Sequence, residues 1–316
     1  MADGTLAIDE PNDVDKRIDA EKLTVGTTEV HRERVQVAGT GATDLAPVSG
    51  THGLAVQPKL NYFSELALGN ISNRKSVNKF GAAPDGMQTT ATDVWDRADA
   101  TPTQQVWLAP TAARIHTIQS SSANDVVNGT GVATVIVYYL PDWDTAETSE
   151  TVAGDLNSGI AMNNAAVIIH RMKVTAQSTT TNVGGNEGTI TATAAVDGTV
   201  TAAILPGNGQ TEMAVYGVPS IQTALMWEWR GQIDKASGGA ASINFVLRVN
   251  EDPTVQTVAF LRKDDMSVQS TGSSSASHRP PIPHAFPGPA IIKISGISSK
   301  ADVDAEAGFD LEIVTN

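Results

Sequence analysis

Cysteine is absent from this sequence, and aromatic residues fill only 5% of its 316 positions. The first absence excludes disulfide staples, thiolate catalysis and cysteine-zinc sites, and fits synthesis in a reducing cytosol. The second means that a core has to be assembled from Val, Ile, Leu and Ala; a hydrophobic content of 41% is enough for one. Basic residues are scarce too, with 21 Lys and Arg against 35 Asp and Glu and a formal charge of −14. A surface of that sign repels phosphate backbones, so no nucleic-acid partner is expected. Long apolar runs are missing: "AAVII" at 165–169 is far too short to cross a bilayer, and no membrane insertion is expected. The opening "MADGTLAIDEPNDVD" has neither the basic nor the apolar region of a secretory signal.

Catalytic motifs are equally hard to find. There is no Gly-Lys dipeptide and hence no P-loop, and "GTG" (39–41) and "GNG" (207–209) lack a strand–helix context for phosphates. HExxH, GxSxG and CxxC do not occur. The six histidines (31, 52, 116, 170, 278 and 284) are scattered, no two of them two or four residues apart. They read as ordinary polar side chains rather than metal ligands. No carboxylate pair stands out for glycoside hydrolysis. The expectation is a protein with no catalytic residues and no cofactor, not an enzyme.

What is present is β texture. The 27 Gly and 15 Pro are dispersed, as suits many short strands joined by turns. In "GTITATAAVDGTVTAAIL" (188–205), two Thr/Ala/Val segments flank an Asp197-Gly198 turn. "TVIVYYL" (134–140) reads as a strand buried on nearly both faces. "INFVLRV" (243–249) places Ile243, Phe245, Leu247 and Val249 on one face and Asn244 and Arg248 on the other. "VQTVAFLR" (255–262), "AIIKISGI" (290–297) and "FDLEIVT" (309–315) are further strand candidates. Helical signal is confined to "YFSELALGN" (62–70), one or two turns ending at Gly69 or Asn70. The predicted fold class is all-β: a jelly-roll-like β-sandwich over 61–316, preceded by an extended arm over 1–60.

That arm mixes charges with isolated apolar residues, too sparse to form a core alone. "VHRERVQV" (30–37) has strand character, and Val30, Arg32, Arg34, Val35 and Val37 are the candidate partner-docking residues. Three other stretches stand out. "ADVDAEAGFD" (301–310) puts Asp302, Asp304 and Glu306 at alternate positions, a weak calcium candidate set against a solvated turn leading into the last strand. "MWEWR" (226–230) would set Trp227 and Trp229 on one strand face, as a core or subunit interface or as a platform for sugar rings. "SVQSTGSSSASHRPP" (267–281) reads as an exposed loop. The proline segment "RPPIPHAFPGP" (279–289) is barred from a central strand. It is either a stiff arm lying across a neighbouring subunit or a rigid loop.

Several of these stretches also resemble a family. "DAEKLTVGTTEVHRERVQVAG" (19–39) followed by "APVSGTHGLAV" (46–56) resembles the N-terminal module of tailed-bacteriophage virion structural proteins. "SVNKFGAAPD" (76–85) with "ATDVWD" (91–96) looks like the stretch that opens the β domain in related phage proteins. "IHTIQSSSANDVVNGTGVATVIVYYL" (115–140), "ILPGNGQTEMAVYGVP" (204–219) and "AGFDLEIV" (307–314) continue the likeness in order. The resemblance implies a non-enzymatic virion component made in the host cytoplasm, a homo-oligomer and often a trimer. Its partners would be copies of itself and the major capsid protein or other virion proteins. A trimeric head-exterior decoration or spike protein docked by its N-terminal arm is the first expectation. The alternative is a tail-associated receptor binder, an adhesin for host surface glycans, whose contacts would come from Trp143, the 267–281 stretch or the Trp227/Trp229 face.

Overall fold

The computed structural model describes residues 6–7, 17–25, 28–34, 61–97, 104–177, 185–236, 240–270 and 274–316. These fall into two compact units, Met1–Asn61 and Tyr62–Asn316. In the first unit, β1 (Leu6–Ala7), β2 (Arg17–Val25) and β3 (Thr28–Arg34) form an antiparallel sheet in that order. Val30, Arg32 and Arg34 belong to β3, whereas Val35 and Val37 lie outside the described residues.

Among its described residues, the second unit is all-β apart from α1 (Tyr62–Ala67) and one 3-10 turn. α1 ends where Gly69 adopts φ 73°, a left-handed conformation that costs glycine nothing. The chain then runs through β4 (Arg74–Met87) and β5 (Thr92–Asp93). It leaves to build an inserted lobe, sharing one continuous core with the rest, from β6 (His116–Ser120), β7 (Val132–Leu140), β8 (Thr148–Ala153), β9 (Ile160–Ala161), β10 (Ile168–Gln177), β11 (Ile190–Ala194) and β12 (Val200–Ile204). It returns as β13 (Val215–Val218), β14 (Gln222–Ala236), β15 (Ala241–Asn250), β16 (Leu261–Ser270), β17 (Ser274–His278), β18 (His284–Pro287), β19 (Ala290–Ser298) and β20 (Val303–Thr315). The inserted lobe has two sheets, β10-β7-β8 and β12-β11-β6-β9. The main lobe has two five-stranded sheets: β13-β19-β15-β16 with β5 on β19, and β17-β14-β20-β4 with β18 on β14.

The two main sheets face each other as a sandwich, and β15 shows how they interlock. Ile243, Phe245, Leu247 and Val249 are buried, while Asn244 and Arg248 are half-buried on the opposite face. The Phe245 ring needs room from the facing sheet, which Gly231 on β14 leaves open; a Cβ there would lie 2.7 Å from the ring. The scarce aromatics are placed inside. Trp95, Trp107 and Trp229 are completely buried, and each indole N–H has an acceptor: Gln104 O at 3.1 Å, Thr201 O at 2.8 Å and Asp264 Oδ2 at 2.9 Å.

Three expectations need correction. Residues 253–257 form turns, 258–260 run on without regular structure, and the strand begins only at Leu261. The Ser-rich 267–281 stretch is not simply a loop, since it contains the end of β16 and all of β17, whose main chain pairs with β14 from Trp229 to Ile233. β20 starts at Val303, so Asp304 and Glu306 lie within the strand and only Asp302 stays in the bend before it. β7 has Val135, Val137 and Tyr139 buried, Thr134, Ile136 and Tyr138 half-buried and no exposed residue, in keeping with a strand buried on nearly both faces. The proline segment contributes β18, an outer strand flanking β14, in keeping with its bar from central positions.

Candidate functional site

Strand geometry decides the fate of the residues singled out by sequence. A β-bulge between Met226 and Glu228 shifts the β14 register against β20. One extra residue reverses the alternation, so Met226 and Trp229 share the core face and Trp227 is left on the other. The two rings therefore do not form a joint platform. Trp229 is core, whereas Trp227 packs edge-on against Phe63 of α1 at 5.2 Å and donates to Glu312 Oε2 at 3.1 Å. Trp143 packs partly buried against the core.

Asp304 and Glu306 follow the pleat of β20, one strand repeat apart, while Asp302 sits in the bend before it at φ 57°, so the three do not surround a common centre. Each has its own partner: Gln88 donates to Asp302 at 3.1 Å, the Asp85 N–H to Asp304 at 2.5 Å, and Gln232 to Glu306 at 3.0 Å. Among the described residues, no three His, Cys, Asp or Glu side chains gather as metal ligands would.

The groups that do converge come from four strands and one loop, at the junction of the two lobes. Lys79 on β4 is buried, and its ammonium donates to the His170 carbonyl oxygen at 2.5 Å. The strand alternation of "SVNKF" turns Lys79 inward while Asn78 and Phe80 stay exposed. Burial presses the Lys79 ammonium down to about 7, with Glu147 working against that loss. His170 on β10 is buried; its Nδ1 pairs with Glu147 and its Nε2 accepts the Gly217 N–H at 3.2 Å. With Nε2 an acceptor, the imidazole is held as the neutral Nδ1–H tautomer, and burial depresses its basicity further. The Tyr216 ring on β13 stacks on His170 at 4.3 Å. Its hydroxyl is buried without a hydrogen-bond partner. Burial would raise the Glu147 carboxyl, but the Nδ1–H bond from His170 and the charges of Lys75 and Lys79 outweigh it and hold the group low. A cleft of about 290 Å³ is lined by Lys79, Tyr138, Glu147, Arg171 and Tyr216 among others.

A second, larger depression of about 560 Å³ crosses β4, β20, β14 and β17. Its floor is a row of small residues in register, Gly81–Ala307–Gly231–Ala276. Phe80, Arg230, Gln232, Glu212 and Glu306 flank it. The Glu212 carboxyl is pushed up by burial first and then by the charge of Glu306. Nothing in the sequence pairs these two acids, which stand 94 positions apart; only the β4–β20 register and the chain before β13 bring them to one groove.

Two other buried carboxylates, Asp125 and Asp93, are structural joints. Asp125 receives Ser120 Oγ at 2.5 Å, Val132 N at 2.9 Å, Glu187 N at 3.0 Å and Gly188 N at 2.9 Å. Lys293 meets Asp93 at 2.6 Å, and Asp93 also accepts the Trp107 N–H at 2.7 Å. Burial pushes the Asp93 carboxyl up, and Lys293 opposes it.

No family model and no curated protein matches this chain. Two solved structures from infectious bursal disease virus show a faint likeness. The VP2 subviral particle is 9% identical over 77% of this chain and 80% of that one, with a TM-score of 0.11. The T=1 particles derived from the virus are 8% identical over 77% and 78%, with a TM-score of 0.12. Likeness at that level carries no argument about fold or role.

Proposed function

We propose that this chain is a non-enzymatic structural protein of a tailed-phage virion, a trimeric head-exterior decoration or spike protein docked through residues 1–60. The observation that carries this reading is where the phage-like segments meet. Lys79, Phe80 and Gly81 of "KFG" pair with Phe309, Gly308 and Ala307 of "AGFDLEIV". Trp95 of "ATDVWD" bridges Met213 of "QTEMAVYG". Gly81 sits at their crossing: a Cβ there would lie 2.4 Å from Ala214 N and 2.5 Å from Val94 O. Segments far apart in sequence thus form one packed motif that depends on a glycine, which supports reading the likeness as a shared fold pattern. The division at Asn61 supports a separable arm. Extended segments add strands to or fill grooves on a repeated lattice, and multivalency supplies affinity that no deep pocket has to provide.

Deleting residues 1–60 tests the docking role. The truncated protein is expected to fold and to be missing from particles; recovery of the truncated chain in virions at full occupancy overturns the role.

The groove over β4, β20, β14 and β17 favours a second reading, a tail-associated glycan binder. The exposed Phe80 ring beside Arg230, Gln232 and two acids offers a stacking surface with polar groups on its flank. A glycan array with the full chain separates the two readings. Selective binding lost in Phe80→Ala supports the receptor role, and silence leaves decoration ahead. Bond cleavage in bound polysaccharide, lost in Glu212→Gln, would overturn the non-enzymatic reading.

A further inference from the structure

We propose that the junction cleft between β4, β10 and β13 binds a small oxyanion, a carboxylate or a tetrahedral sulfate- or phosphate-type group, through the Lys79 ammonium and the Tyr216 hydroxyl. Two donors in this cleft are left with capacity. Lys79 carries three N–H bonds, one of which reaches the His170 carbonyl. The hydroxyl of Tyr216, a residue only 1% exposed, is buried without a partner, although buried polar groups are nearly always paired. Both residues line the same cleft of about 290 Å³, whose rim includes the exposed Ser76 and Asn78.

The local charge has the right sign in a chain that is acidic overall. Lys75, Lys79 and Arg171 supply cations around the cleft. Glu147 is already engaged by the His170 Nδ1–H and by Lys75 at 3.6 Å. Burial pushes the nearby Asp96 carboxyl well up, towards its neutral form, and the Gly217 N–H keeps His170 neutral. An anion entering here meets an ammonium that lacks full solvation and a hydroxyl that lacks an acceptor. It would satisfy both at once, with charge-assisted bonds worth more than neutral ones. Binding also favours the charged form of Lys79, so affinity should fall as the pH is raised from 6 to 9.

The test uses the full chain, sodium sulfate and sodium acetate as separate probes, and sodium chloride at matched ionic strength. Thermal melting and calorimetric titration are read for wild type, Lys79→Met and Tyr216→Phe. A saturable rise in melting temperature is expected in wild type for sulfate, acetate or both. A response to one alone assigns the tetrahedral or the planar class. Lys79→Met should abolish it, and Tyr216→Phe should weaken binding about tenfold or more. Tyr216→Phe should also melt no lower than wild type without the probe, since it only removes a hydroxyl that has no partner. Failure of both anions to act on wild type overturns the site, as does an undiminished response in Lys79→Met.

Discussion

Replacing Asp125 by Asn removes one oxygen of a carboxylate that is completely buried and holds together four donors from three stretches of chain. One oxygen takes the Val132 and Glu187 N–H groups; the other takes the Ser120 hydroxyl and the Gly188 N–H. The new NH₂ is least damaging on the Ser120 side, because a hydroxyl can rotate and accept while a backbone N–H cannot. Even there the Gly188 N–H is left buried without an acceptor, a cost of about 1–3 kcal/mol, and the bonds that remain lose their charge assistance. The variant should therefore lose about 2–4 kcal/mol of stability. For a unit of this size that lowers the melting temperature by roughly 5–15 °C. Asp125→Ala, which orphans every donor, should cost more. Urea unfolding followed by tryptophan fluorescence measures both variants. A loss below about 1 kcal/mol in Asp125→Asn would refute the idea that this carboxylate is the joint of the inserted lobe.

Three further outcomes follow from the same geometry. Burial presses His116 down to about 4, so the unfolded chain takes up its proton near the ordinary value of 6.5 while the folded one does not. Stability should decline as pH falls from 6.5 to 4, and His116→Asn should flatten that window in pH-dependent urea titrations. Lys293→Met strips the buried Asp93 of its cation and should cost about 3–5 kcal/mol, most of it recovered when Asp93→Asn is added, as a double-mutant cycle would show. Gly231→Ala drives a Cβ into the Phe245 ring and should cost about 1–3 kcal/mol in urea unfolding. Gly296→Ala, whose nearest obstacle is the movable Met87 Cε at 2.4 Å, should cost less.

The residues that declared themselves in sequence are those governed by local alternation. β15 needs only its own period of two to reveal which face is buried, and the Asp197-Gly198 turn between β11 and β12 rests on Gly198 at φ 66°. Residues 255–262 misled because Val, Phe and Leu have strand propensity, yet turns occupy 253–257 and the strand begins only at Leu261. β17 was hidden for the opposite reason: Ser and Ala carry little strand signal, and the segment becomes a strand by pairing its main chain with β14. The Trp227 bulge is a property of the β14–β20 register, which is set by residues about 84 positions away. The junction cleft was illegible for the same reason. Lys79 in "NKFG" looks like any surface lysine until β4 turns it towards His170, 91 residues on. Tertiary pairing, rather than composition, decides which polar groups lose their water.

The proposed role is attachment to a virion particle. Electron microscopy of particles carrying a gold-labelled copy of the full chain tests it most directly. Label repeated across the head surface is the expected image. Particles that carry none, while the protein remains free in the lysate, would contradict the account.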